Sequence, residues 1–93
     1  MAVNLEPCLM CLGAAMALGI TGICYGLESP SDGAASIAAL WRPADPSMPF
    51  SRIPVLTGGL HRLECRAQFA RYAQTAPDSG FRNWARTLAE LPD

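Results

Sequence analysis

The chain has 93 residues, 51% of them hydrophobic and 16% charged, with a formal net charge of −1. That length allows one small domain with a thin core, and that charge gives no global electrostatic case for nucleic acid or an anionic membrane. All seven basic residues are arginine, and six of them lie at or beyond Arg52 against four acids there (Glu64, Asp78, Glu90, Asp93). The C-terminal part is therefore mildly basic and the N-terminal part acidic.

Ala2 to Leu5 reads as a short strand. Pro7-Cys8-Leu9-Met10-Cys11 follows, and a helix is predicted from about Cys8 to Leu18. Pro7 suits a first helical turn, where no N–H is needed. Two thiols three positions apart share one face of such a helix, near its free N–H groups and positive dipole end. That setting favours thiolate over thiol, the form that binds metal or attacks a substrate. The helix is apolar nearly all round, with Gly13, Ala14, Ala15 and Ala17 as its small residues. It should be buried on most faces or packed closely on a partner. Residues 8–26 carry no charge, a run long enough to raise the question of a membrane span. Glycines interrupt it, however, and Gly19-Ile20-Thr21-Gly22 reads as a helix stop followed by a new buried strand, Ile20 to Gly26.

Leu27 to Gly33 is turn chemistry, with Ser-Pro and Asp-Gly in sequence. Ala34 to Trp41 is a short helix candidate. Residues 42–54 hold Pro43, Pro46, Pro49 and Pro54 and should form a surface loop. Pro54-Val55-Leu56-Thr57 reads as a third strand, at an edge given its first residue. Gly58-Gly59 turns the chain into a helix from about Leu60 to Ala76. Leu60, Leu63, Ala67 and Ala70 make one apolar line on it, and Cys65, Phe69, Tyr72 and Ala76 a second. Pro77-Asp78-Ser79 breaks and re-caps the chain. An amphipathic helix over 79–91 then carries Phe81, Trp84, Ala85, Leu88 and Leu91 on one face. The order β-α-β-α-β-α-α predicts a single α/β domain over 1–93, built on a mostly parallel sheet covered by helices.

Four cysteines (Cys8, Cys11, Cys24, Cys65) admit a disulfide reading. The N-terminus has neither the basic region nor the cleavage site of a signal peptide. Cys24 and Cys65 lie in apolar contexts where a free thiol is ordinarily buried. The expectation is a reducing, cytoplasmic setting and no membrane.

Taken together, EPCLMCLGAA after a strand, then ITGICYG, a DGA loop, and LTGGLHRLEC opening a helix resemble the zinc-dependent nucleobase and nucleoside deaminases. The resemblance is to the branch that holds tRNA adenosine deaminase, guanine deaminase and cytosine deaminase, whose signature is H-x-E…P-C-x-x-C. It spans about Ala2 to Tyr72 and is most specific at Glu6 to Gly13 and Gly59 to Cys65. It implies a partial three-layer αβα, cytidine-deaminase-like fold. It also implies zinc as cofactor, with Cys8 and Cys11 as two ligands and the backbone around Glu6 and Pro7 bordering a base pocket. A catalytic zinc takes three protein ligands and keeps a fourth position for the water it acidifies.

The family's third ligand, a histidine, and its proton-shuttling glutamate come from a helix upstream of the strand that precedes P-C-x-x-C. No H-x-E occurs here, and the one histidine, His61, opens a later helix where the family places no ligand. The general acid/base is thus absent from this chain, which is expected to be inactive alone. A companion chain or segment carrying the H-x-E helix, or a homodimer, is the implied partner. A nucleobase or nucleoside is the implied substrate, with tRNA a further implied target.

Other readings stand beside this one. Cys8 and Cys11 are alternatively inert buried thiols, a thioredoxin-like redox pair, or the remnant of a site in a non-catalytic interaction module. His61 and Glu64 read first as solvated helix-start residues, Glu28 and Asp32 as turn residues, the C-terminal arginines as a solvated face, and Phe81 and Trp84 as helix-packing residues.

Overall fold

Three short parallel strands stand side by side in chain order in a computed structural model that describes the whole chain, Met1–Asp93. They are β1 (Ala2–Leu5), β2 (Gly22–Leu27) and β3 (Val55–Thr57), with β2 in the centre. Four helices accompany them: α1 (Leu9–Ala17), α2 (Ala35–Leu40), α3 (Arg62–Thr75) and α4 (Gly80–Ala89). The expected α/β order is found, and residues 42–54 form neither helix nor strand.

Register decides what each face of the sheet presents. Val3 pairs with Tyr25, Leu5 with Leu27 and Ile23 with Leu56, so these side chains share one face. Helices α1 and α2 cover it. Leu12, Ala15, Ile23 and Ala34 form the buried cluster, flanked by Val3, Ala38 and Leu56. Burying this apolar surface is the main favourable term in a domain of this size.

Helix α1 stops where the sequence says it should. Gly19 adopts φ +75°, the Ile20 N–H donates to the Ala15 carbonyl at 3.0 Å, and the Gly19 N–H donates to Met16 at 3.1 Å. This pair of bonds closes the helix end and needs the left-handed residue that glycine supplies without strain. The charge-free run thus divides into a nine-residue helix and a strand. No helix is long and apolar enough to cross a membrane.

The burial of α1 corrects the expectation that most of its faces are covered. Only Leu12 and Ala15 are buried, whereas Met10 and Leu18 are 79% and 78% exposed. A helix apolar all round has no periodicity to announce which stripe turns inward.

The other face of the sheet is covered by α3, with α4 packed on α3. The approach is close at one point: a Cβ at Gly26 would overlap Cys65 Sγ. Asn4 Nδ2 also donates to Gln68 Oε1 at 2.7 Å. Cys24 lies on this face and is exposed rather than buried, because α3 does not reach across it. Of the two expected lines neither is uniform: Leu60, just before α3, and Leu63 and Ala67 face solvent while Ala70 is half-buried, and Cys65, Phe69 and Ala76 are half-buried while Tyr72 is exposed. The inward side carries Arg62 and Arg66. Arg62 makes a two-pronged bond to Glu28 (2.7 and 2.8 Å) and donates to the Pro92 carbonyl at 2.6 Å. Arg66 donates to the Leu91 carbonyl at 2.6 Å and pairs with Asp93. These bonds draw the end of α4 back over the start of α3. Ser79 caps α4 as expected, its Oγ accepting from the Arg82 N–H at 3.1 Å.

Candidate functional site

Cys8 and Cys11 sit at the carboxyl ends of the strands, where α/β sheets present their ligand sites. Cys8 is extended (φ −75°, ψ 175°) and immediately precedes α1, and Cys11 lies in the first turn. The Cys11 N–H and then the Cys11 thiol donate to the Cys8 sulfur, and together with the Met10 N–H they hold Cys8 below the ordinary thiol range. Cys11 is correspondingly pushed up, first because its thiol is the donor in that bond and then because it lies beside the negative Cys8. Of the two thiols, Cys8 at the helix N-terminus is therefore the one that ionises first. Asp32 opposes ionisation of both, so its carboxylate lies within electrostatic reach of the two sulfurs.

What holds Cys8 in place is the carboxylate of Glu6. It accepts from the Ser29 N–H at 3.0 Å with one oxygen and from the Ala35 N–H at 2.9 Å with the other. Glu6 thereby ties the end of β1 to the 28–35 loop and supplies the N-terminus of α2 with an acceptor. The Ala34 N–H donates to the Pro7 carbonyl at 2.9 Å, and Cys8 forms an antiparallel bridge with Gly33. Gly33 leaves room for that carboxylate, because a Cβ there would overlap the Glu6 carboxyl group and push it from its two bonds. The Asp-Gly turn is thus moulded around a half-buried glutamate. Glu6 and Pro7 both line the groove described next, and the Glu6 N–H (to Leu27) and the Pro7 carbonyl are already partnered within the chain.

A groove of about 530 Å³ runs between β1 and α1. Val3, Leu5 and Leu18 are among its apolar walls, and Cys8, Cys11 and Asp32 lie along it. Strand β1 is an edge strand, hydrogen-bonded to β2 alone, so the groove follows a free sheet edge. Trp84 of α4 closes part of its rim.

The donor set for a metal is incomplete. No group of three or more His, Cys, Asp and Glu side chains is placed to hold an ion. One thiol at a helix cap and another in the first turn suit two positions of a tetrahedral zinc, and this chain brings no third donor to them. His61 lies elsewhere, exposed, with Nδ1 3.9 Å from Glu64 Oε2, a surface pair as expected. Glu28 is held ionised chiefly by its hydrogen bonds from Arg62, a structural contact. Sequence reasoning assigned Glu6 through its backbone and missed the carboxylate. A lone charge set directly before Pro-Cys in an apolar stretch was the available signal that this side chain is spent internally.

No protein-family model matches this chain, and no curated protein matches it.

Proposed function

We propose that this chain is the carboxyl-terminal segment of a zinc-dependent nucleobase or nucleoside deaminase unit, completed by a companion segment that supplies histidine and glutamate. The observation that carries the reading is the thiol pair itself. Cys8, which caps α1, and Cys11, in its first turn, lie at the carboxyl end of an edge strand, with an apolar groove and a free sheet edge beside them. In this reading Cys8 and Cys11 would hold the zinc together with the companion's histidine. The metal would acidify a water for hydrolytic removal of an exocyclic amine. The chain's own residues do the positioning: Glu6 fixes the segment before Cys8 against the 28–35 loop, and the groove beside the thiols has apolar walls. The proton shuttle belongs to the companion.

The test is zinc content and deamination of adenosine, guanine and cytosine by this chain, alone and mixed with a segment bearing the H-x-E helix. Zinc retention and turnover in the mixture alone, both lost in Cys8→Ser or Cys11→Ser, are expected. Zinc uptake unaffected by either substitution would overturn the assignment. The exposed outer face of α1 and the open edge of β1 favour one second reading, a non-catalytic pseudo-deaminase fragment that serves as an interaction module. That reading expects a stable, zinc-free chain that gains no activity from the companion.

A further inference from the structure

The backbone on the two sides of the thiol pair is fixed independently. Cys8 bridges Gly33, the Pro7 carbonyl before it accepts from the Ala34 N–H at 2.9 Å, and Glu6 ties the same segment to the 28–35 loop. Cys11 belongs to α1, whose first turn closes as the Leu12 N–H donates to the Cys8 carbonyl at 2.9 Å. Side chains one helical turn apart have their Cβ atoms about 5–6 Å apart. A disulfide needs about 3.5–4.5 Å. Cys8 is extended (ψ 175°) rather than helical, so its Cβ is not bound to the helical spacing, and the Cys11 thiol already donates to its sulfur. Joining the two sulfurs is thus a side-chain movement within one turn.

Nothing else in the chain engages the pair. No third His, Cys, Asp or Glu side chain joins it as a metal donor. The other two thiols are elsewhere: Cys65 lies against Gly26 beneath α3, and Cys24 is on that same face of the sheet, away from α1. Cys11 is exposed and Cys8 half-buried, and both line the open groove beside β1, so a solute reaches the sulfurs without any part of the fold moving.

We propose that Cys8 and Cys11 form a dithiol–disulfide couple that exchanges with small disulfides of the glutathione class. One cysteine, as thiolate, attacks a sulfur of glutathione disulfide, which gives a mixed disulfide and releases one glutathione thiolate. The second cysteine, as thiolate, attacks the sulfur of the first, so that the Cys8–Cys11 bond forms and the other glutathione leaves. The two cysteines lose two electrons, glutathione disulfide gains them, and the two thiol protons end on the released glutathione. Which state prevails is set by the ratio of glutathione disulfide to glutathione. The couple goes beyond the deaminase reading and does not depend on it, since both sulfurs belong to this chain. In a zinc-holding assembly the same bond would switch the site off, because a disulfide offers no thiolate to a metal.

The experiment equilibrates the full chain, with EDTA and no companion, in buffers of graded glutathione disulfide to glutathione ratio. Acid quenching, alkylation of the remaining thiols and peptide mapping then locate every bond. A Cys8–Cys11 disulfide, read as the loss of two hydrogens from the peptide that carries both, should appear in one two-electron transition. It should revert with dithiothreitol and leave the circular dichroism spectrum unchanged. It should also close about tenfold faster in the folded chain than in the same chain unfolded in urea, because the turn holds the two thiols together. In Cys8→Ser and Cys11→Ser the remaining thiol should stop at the glutathione adduct. Glutathione adducts on both cysteines without the internal bond, pairing of either with Cys24 or Cys65, or equal closure rates in folded and unfolded chain would each overturn the couple. Zinc uptake in the mixture with a companion, measured without glutathione disulfide, reads the deaminase assignment on its own, so each proposal can fail while the other stands.

Discussion

The two anchors that hold loops onto this sheet are both built on a carboxylate, and they are not alike. Glu6 reaches inward and takes two backbone N–H groups that no other group in the fold satisfies. Glu28 and Asp93 reach instead for Arg62 and Arg66, with side chains 43% and 80% exposed. Where the donor is buried backbone, removing the acceptor leaves polar groups stranded away from water. Where the carboxylate is itself solvated, as at Glu28 and Asp93, water already competes for it and the pair counts for less. The same chemical bond therefore counts for much more at the head of α1 than at the foot of α4, and the thiol pair rides on the stronger of the two.

Substitutions can break that contrast, beginning with the largest effect. Glu6→Ala should destabilise the fold by about 3–4 kcal/mol, the loss of two charge-assisted bonds with their N–H groups left buried. Glu6→Gln should cost about half as much, since the amide oxygen keeps one acceptor and its NH2 faces a donor; urea unfolding measures both. Gly33→Ala should cost about 1–3 kcal/mol, because its methyl group would occupy the space of the Glu6 carboxyl. A Glu6→Ala background should absorb much of that cost, and additive effects in the double variant would refute the moulded loop. Ser79→Ala should cost about 1 kcal/mol through the lost helix cap. Arg66→Ala should cost about 1 kcal/mol, through the lost bond to the Leu91 carbonyl, and the part due to the exposed Asp93 should shrink in high salt.

A chemical reading sharpens the same comparison at the thiols. Cys8 is held below the ordinary thiol range and Cys11 above it, so Cys8 should alkylate first at neutral pH. The fraction of Cys8 as thiolate rises through a lower pH window than that of a free thiol, and the Cys8 alkylation rate should plateau there. Mass mapping of iodoacetamide adducts across a pH series checks the order. Equal rates at both sites would contradict the helix-terminus geometry.

Much of the fold was legible in the sequence because local signals agreed with tertiary ones. Gly19 marked the end of α1, Ser79 the cap of α4, and Pro54 an edge position for β3. The alternation of elements was enough to predict a parallel sheet. What escaped were facts of packing that periodicity does not encode. Helix α1 is apolar on every side, so its buried stripe of Leu12 and Ala15 could not be told from its exposed Met10 and Leu18. On α3 two apolar lines competed, and only Cys65 and Phe69 of the second turned toward the sheet, where Gly26 lets the Cys65 sulfur approach, while Tyr72 stayed exposed. Cys24 looked buried by its neighbours in sequence, but strand alternation put it on the thinly covered face. At the site, the sequence located Cys8 and Cys11 but not the Glu6 carboxylate that positions them. It also did not place Phe81 in the open, since helical spacing alone assigned it to the interior.

The arrangement of the strands has a consequence for how the molecule comes into being. Each strand lies beside the one made just before it, with no later strand inserted between them. As the polypeptide emerges during synthesis, β2 meets a neighbour already laid down, and β3 meets β2. The sheet can be assembled vectorially, one addition at a time, and nothing already paired has to be prised apart to admit a latecomer.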